Sequence, residues 1–170
     1  MLSASSRPGR PSPEPETIAI ACDQAGYRLK QEIVKLLHEL KAPITDLGCA
    51  NSEESVHYPY FGKKVVDAIK TLPNCRGILI CGTGLGMSML ANRFPGIRAT
   101  LCHDMFTAIM SRRHNNANVL VMGGRVIGPD LAKEIVRVWL ATPFDGGRHQ
   151  KRLDLLEKLA QEPHSPSGNS

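Results

Sequence analysis

One stretch limits what this chain can become: Gly77-Ile-Leu-Ile-Cys81-Gly-Thr-Gly-Leu-Gly-Met-Ser88. Ile78, Leu79 and Ile80 are large and apolar, too short a run for a helix, and glycines follow almost at once, so they read as a buried strand. Cys81 stands where that strand ends. Gly82, Gly84 and Gly86 alternate with Thr83 and Leu85, and Met87 to Arg93 is compatible with a helix. Strand, glycine turn and helix in this order direct backbone N–H groups at an anion. Glycine permits the positive φ and close backbone approach that such a turn needs. The thiolate is the reactive form of cysteine, and a helix N-terminus favours it. A lone cysteine is more often a small buried residue, but this turn reverses the balance. The loop therefore offers a base and a set of donors for a developing oxyanion.

Around this stretch strands and helices alternate. Thr17 to Ala21 reads as a strand, and Leu29, Ile33, Leu36, Leu37 and Leu40 recur at helical spacing. Pro43 to Leu47 is a second strand. Phe61, Val65, Ala68, Ile69 and Leu72 mark a helix, with Pro59 near its start. After the central stretch, Arg98 to Cys102 reads as a strand, and Met105, Phe106, Ile109 and Met110 as a helix. Asn118 to Met122 is the fifth strand. Pro129 opens a helix with Leu131, Ile135, Val138 and Trp139 inward, and a last helix from about Gln150 to Gln161 carries Leu153, Leu156 and Leu159. This alternation is that of an α/β fold, a parallel sheet with right-handed crossovers and helices on both faces. Ligands of such sheets sit outside the carboxyl ends of the strands. Asp23 and Gln24, Cys81 to Ser88, and His103 and Asp104 collect there.

Residues 1–16 hold four prolines and four serines and read as a disordered extension, without the apolar core of a secretory signal. Residues 162–170 read as a disordered tail, which leaves 17–161 as one folded domain. No apolar run approaches membrane-spanning length. The formal charge of +5 comes without a run of five basic residues, and aromatics are only 5%. That balance suits small anionic substrates and argues against nucleic acid. The cysteines, Cys22, Cys49, Cys75, Cys81 and Cys102, are odd in number and form neither CxxC nor a zinc spacing. Reduced thiols in a cytoplasmic protein without a metal are the expectation.

Four motifs occur in one order: Cys81 to Ser88, Asn92-Arg-Phe-Pro-Gly-Ile-Arg-Ala99, His114-Asn115, and Gly146-Gly-Arg148-His149-Gln-Lys-Arg152. Together they resemble ribose-5-phosphate isomerase type B, a family that includes the galactose-6-phosphate isomerase subunits. The likeness runs from about Thr17 to Leu159. It implies a doubly wound, five-stranded parallel sheet, a Rossmann-like three-layer sandwich. It also implies a homodimer whose active sites use both subunits, and interconversion of aldose and ketose phosphates without cofactor. Ribose 5-phosphate is the first expectation for the substrate, and allose or galactose 6-phosphate the alternative.

That chemistry opens the sugar ring and moves a proton between C2 and C1 through a cis-enediolate, so a base must reach carbon and donors must hold an oxyanion. The resemblance makes Cys81 the base. The amides around Gly82, Gly84, Gly86 and Ser88 are the natural oxyanion donors, and the Thr83 hydroxyl can relay a proton. His114, followed by Asn115, matches the family's ring-opening pair, and imidazole donates and accepts near neutral pH. His103 is its rival. Alone, a histidine at a helix end is more often a solvated cap. Arg148 and Arg152, four apart, share a helix face and can fork onto one phosphate; a solvated basic helix end is the plainer alternative. Arg125 matches a further phosphate contact, and Asp23 and Tyr58 match positions lining the sugar. His38, His57 and His149 stay uncommitted, with His149 nearest the phosphate group. Cys22, Cys49, Cys75 and Cys102 read as packing or surface thiols. One departure stands out: the family's usual Asp-His-Ala-Gly is here Asp23-Gln24-Ala25-Gly26, which loses a phosphate-binding histidine and leaves the sugar open.

Three other functions compete. A nucleotide-binding module is suggested by a partial GxGxxG and by Asp104 about 20 residues on. Its turn would follow the first strand rather than the third, and a cysteine has no role there. A cysteine phosphatase needs an arginine six residues after the nucleophile, where Met87 stands. A non-catalytic sugar-phosphate sensor would keep Arg148 and Arg152 without needing Cys81.

Overall fold

The computed structural model describes residues 16–162. The extension expected over 1–16 and the tail over 162–170 therefore lie outside the described residues, apart from Glu16 and Glu162. Glu16 is held in an ion pair with Arg76 at the start of the sheet.

The elements run β1 (Thr17–Cys22), α1 (Tyr27–Glu39), β2 (Ile44–Asp46), α2 (Tyr58–Thr71), β3 (Cys75–Cys81), α3 (Leu85–Ala91), β4 (Ala99–Leu101), α4 (Met105–Asn115), β5 (Val119–Gly123), α5 (Pro129–Ala141) and α6 (Arg148–Gln161). The five strands form one parallel sheet in the order β2-β1-β3-β5-β4. Side chains alternate across it with the period of two that a strand imposes. Ile18, Ile20, Ile78, Ile80, Leu120 and Met122 pack with α1 and α5, through Ile33, Leu36, Leu37, Ile135 and Trp139. Ala19, Ala21, Leu79, Cys81, Val119 and Val121 face the other way, toward Val65 and Val66 of α2 and Met87 and Ala91 of α3. The second face carries small residues where α2 crosses it. A Cβ on Gly77 would lie 2.6 Å from Val65 Cγ1, so α2 sits closer than a larger side chain would allow. Cys81 belongs to this face.

Several expectations shift. The edge strands β2 and β4 shrink to three residues each, shorter than Pro43 to Leu47 and Arg98 to Cys102, because each has a neighbour on one side only. β3 reaches back to Cys75, α3 begins at Leu85, and α6 begins at Arg148 rather than Gln150. In α5 the buried stripe is Ala132, Ile135, Val136 and Trp139. Leu131 lies one residue off that stripe and is 40% exposed, not inward. The apolar residues Met105 and Phe106 of α4 are also exposed, and Ala108 and Ser111 are the buried positions. On α6 Leu153 is buried, while Leu155, Leu156 and Leu159 are exposed.

Trp139 is the largest fully buried side chain, and the guanidiniums of Arg76 and Arg112 lie 4.6 and 5.7 Å from its ring centroid. Burial, and then the nearby Arg76, lower the pKa of Arg112 to about 10. Trp139→Ala should cost about 3–5 kcal/mol of unfolding free energy, as a large buried aromatic does. Leu131→Ala should stay within about 0.5 kcal/mol, as expected of a surface position. Urea denaturation of the two variants checks both, and a large loss at Leu131 would place that residue in the core.

Candidate active site

The carboxyl ends of β1, β3 and β5 converge on one point. The ladder between β3 and β5 continues past the sheet: Gly124 N–H donates to the Cys81 carbonyl at 2.8 Å and Arg125 N–H to the Gly82 carbonyl at 3.0 Å. This carries the Arg125 side chain against Gly82, where a built Cβ would lie 3.8 Å from Nη1. The turn after β1 is fastened in the same place. Asp23 N–H donates to the Ile80 carbonyl, and the buried Asp23 carboxylate accepts from Gly26 N–H at 3.0 Å. A Cβ on Gly26 would sit 2.5 Å from the Ile80 carbonyl oxygen.

Gly84 decides the shape of the central turn. Its φ is +81°, and a Cβ there would fall 2.4 Å from Leu101 Cδ1 and 3.1 Å from the Met122 carbonyl. Only glycine takes that conformation in that space. In this conformation Gly84 N–H points back to Cys81 Sγ at 3.2 Å, and Cys81 is 6% exposed. The sulfur thus accepts a backbone hydrogen bond at the end of β3. Thr83 is exposed at the tip, its Oγ1 3.4 Å from the Leu85 N–H. Gly86 backs onto Tyr58, the first residue of α2, and a Cβ on Gly86 would lie 2.5 Å from the Tyr58 ring. Ser88 follows within α3, half-buried.

Two neighbouring side chains have partners that sequence could not supply. Gln24 Oε1 accepts from Val56 N–H at 3.1 Å, tying the segment before α2 to the turn after β1. Its amide oxygen is thus engaged, and its NH2 end is the part that can meet a ligand. His103 Nε2 accepts from Gly123 N–H at 3.0 Å, which puts the proton of the neutral ring on Nδ1. The ring is thereby fastened to the end of β5.

His114 and Asn115 lie elsewhere. α4 starts at the carboxyl end of the sheet and runs eleven residues, about 16 Å, toward the other end. There Arg98 Nε donates to the carbonyls of Asn115 and Asn116, and the Asn118 carbonyl accepts from Gly77 N–H at the start of β3. His149 stacks on His114 with ring centroids 4.2 Å apart and planes within 5°. Arg148 Nε approaches His149 Nε2 at 3.5 Å, and Asp145 pairs with Arg113 at 3.0 Å. Burial lowers the pKa of His149, and His114, Arg148 and Arg152 add to the effect against Asp145. Arg148 and Arg152 open α6, exposed and one turn apart. His114, Asp145 and His149 bring three metal-capable atoms within 4.8 Å of one another, the one such group among the described residues. The guanidiniums of Arg113, Arg148 and Arg152 on the same elements oppose a cation there.

The expected site residues therefore form two groups. Asp23, Gln24, Tyr58, Cys81 to Ser88 and Arg125 gather at the carboxyl ends of the strands; His114, Asn115, Arg148 and Arg152 gather at the amino ends. The strand from Gly77 to Cys81 alone spans about 13 Å between them. A cavity of about 530 Å³, lined by Glu16, Arg76 and Arg137, also lies at the amino ends, away from Cys81.

A profile of the Ribose/Galactose Isomerase family matches residues 18–156. The chain belongs to this family. It is 44% identical over 144 residues to the ribose-5-phosphate isomerase B of Escherichia coli, covering 85% of this chain and 96% of that one. It is also 44% identical over 140 residues to a D-erythrulose-4-phosphate isomerase of Pectobacterium atrosepticum, covering 82% and 92%. The solved structure of Clostridium thermocellum ribose-5-phosphate isomerase B superposes with a TM-score of 0.82 at 47% identity, covering 85% of this chain and 97% of that one.

In this member of the ribose/galactose isomerase family, His103 yields a pH test. Burial lowers its pKa, with Asp104 pulling the other way, and burial lowers that of His149 too. The unfolded chain then takes up protons first as pH falls. Stability present above the ordinary histidine range, about 6.5, is lost as pH drops through that range. In His103→Gln the amide oxygen can still accept from Gly123, so the urea midpoint should depend less on pH between about 7 and 5. An unchanged slope would show that His103 is not held neutral.

Proposed function

We propose that this chain interconverts the aldose and ketose forms of a phosphorylated sugar, ribose 5-phosphate and ribulose 5-phosphate first among them. It acts as a homodimer in which each site draws on both subunits. The separation of the two residue groups carries this reading. Neither suffices alone: one holds a base and oxyanion donors, the other an imidazole and paired guanidiniums. A two-fold axis that sets the carboxyl end of one sheet beside the amino end of its partner completes two identical sites. Large apolar side chains are exposed near both groups: Leu85 and Met89 on α3, Phe106 on α4, and Leu155, Leu156 and Leu159 on α6. Burial of such surface is what a second copy supplies.

The reaction follows from these groups. His114 of the partner subunit takes the proton of the anomeric hydroxyl and returns one to the ring oxygen, which opens the sugar. The Cys81 thiolate removes the proton from C2, and the electron pair moves through the C1–C2 bond onto the carbonyl oxygen. The resulting cis-enediolate is held by N–H groups of the glycine turn, a fixed donor array aimed at the new charge. Cys81 gives its proton to C1, and the Thr83 hydroxyl moves a proton between the two oxygens. The partner's Arg148 and Arg152 hold the phosphate, with Arg125 from the first subunit. Asp23, Tyr58 and the Gln24 NH2 group line the sugar, with Asn115 of the partner subunit beside the opened ring. The residues present account for the chemistry with neither nucleotide nor metal, and five free thiols fit a cytoplasmic setting.

The length of the sugar is a separate question. Equal identity to a pentose- and a tetrose-phosphate isomerase, together with Gln24 where the family usually has His, favours assaying tetrose, pentose and hexose phosphates side by side.

Cys81→Ala should lower kcat by about 10²–10⁴-fold, the usual share of a positioned acid–base group. Binding of ribose 5-phosphate, measured by calorimetry, should barely change. Arg148→Ala should instead raise KM, by about 10-fold or more, for a charge-assisted contact of about 1.5–3 kcal/mol. Substantial turnover by Cys81→Ala would assign the base elsewhere, and unchanged KM in Arg148→Ala would return that arginine to the solvated surface.

A further inference from the structure

We propose that Cys22 and Cys49 are an oxidative modification site: a buried dithiol that peroxide closes into a disulfide beside the substrate-binding turn. The two residues are 27 apart in sequence, and their sulfurs are 3.6 Å apart. No other pair of cysteines among the described residues shares a hydrogen bond between sulfurs.

The backbone already has the required form. The pairing of β1 with β2 continues past Asp46: Leu47 N–H donates to the Ile20 carbonyl at 2.8 Å, and Cys49 N–H to the Cys22 carbonyl at 3.2 Å. The two cysteines are thus joined by a backbone hydrogen bond of their own, which keeps their main chains adjacent while their sulfurs are in contact.

The two thiols differ in a way that orders the reaction. Cys22 is fully buried, and burial, reinforced by Cys49, raises its pKa above the ordinary thiol range. It is a poor first nucleophile. Cys49 lines a cavity of about 260 Å³ with Gly48, Asn51, Glu54 and Val56, and its Sγ lies 3.2 Å from the Asn51 carbonyl. Hydrogen peroxide fits that space. Cys49 sulfur attacks one peroxide oxygen, the O–O bond breaks, and the products are a sulfenic acid and water. Cys22 sulfur then attacks the Cys49 sulfur, the S–O bond breaks, and the departing hydroxyl leaves as water with the Cys22 thiol proton. Two thiols and one peroxide become one disulfide and two waters.

The cross-link falls where it affects the site. Cys22 directly precedes Asp23 and Gln24, and Gln24 Oε1 holds Val56, seven residues after Cys49. Drawing the sulfurs from 3.6 Å to about 2.05 Å pulls this segment toward the end of β1. Asp23 and Gln24 are then displaced without modification of Cys81.

The activity readout rests on the isomerase reading above, whereas the covalent readout does not. The full chain is treated with limiting hydrogen peroxide, its thiols are titrated, and its peptides are mapped without reduction. The expected result is a fall from five free thiols to three, with Cys22 linked to Cys49. Isomerase activity should drop several-fold and return with dithiothreitol. Cys49→Ala should begin with wild-type activity and keep it under the same treatment. A Cys22–Cys49 link that leaves turnover intact, a thiol count that stays at five, a different linked pair, or equal inactivation of Cys49→Ala would each overturn the proposal. If the untreated protein isomerises no sugar phosphate, the isomerase reading fails, and the peptide map alone still decides whether the disulfide forms.

Discussion

The N–H of Gly84 reaches the sulfur of Cys81 because residue 84 has no side chain. At φ +81° and packed against Leu101 and Met122, that position excludes every other residue. The turn cannot open outward, since Gly123 and Gly124 hold it from the β5 side. A Cβ on Gly123 would lie 2.8 Å from the Thr83 carbonyl, and Gly124 N–H bonds the Cys81 carbonyl. The thiol of Cys81 thus sits at the end of a central strand, buried yet addressed by a backbone donor. Its position is set by the sheet rather than by a flexible loop.

The same sheet determines where the other expected site residues fall. Parallel strands put every strand end of one kind at one pole, so a helix that returns along the sheet carries its last residues to the opposite pole. α4 is such a helix, and it takes His114 away from Cys81. α6 begins beside it and adds Arg148 and Arg152 through the stacked His149. In the proposed dimer, the exposed leucines of α6 and the exposed Phe106 of α4 are surface that a second copy would cover. The family to which the chain belongs is consistent with this reading, but the geometry argues for it separately.

Much of this was legible in the sequence, and the part that was not has a common cause. The glycine turn, the apolar strand before it and the helix after it are local, so pattern alone places them. The stripe of α5 misled by one residue because Leu131 is apolar but lies off the face shared by Ala132, Ile135, Val136 and Trp139. Apolar residues of α4 and α6 are visible as apolar, yet hydrophobicity does not say whether the fold of the chain itself covers them. Contacts between distant positions are beyond any periodicity. Gln24 with Val56, Cys22 with Cys49 and Glu16 with Arg76 are brought together only by strand order. The resemblance supplied roles for His114 and the arginines, while only the fold shows that their place is an end of the sheet distant from Cys81.

Subunit complementation tests the divided site most directly. Cys81→Ala and His114→Ala are each purified, shown to be inactive, and mixed under conditions in which subunits exchange. If each site takes Cys81 from one subunit and His114 from the other, every mixed dimer holds one intact site and one doubly altered site. The mixture should then recover about a quarter of wild-type activity at equal subunit ratio, since half the dimers are mixed and each has one working site. A mixture that stays inactive, with exchange verified, would contradict the account and require Cys81 and His114 to work within a single chain.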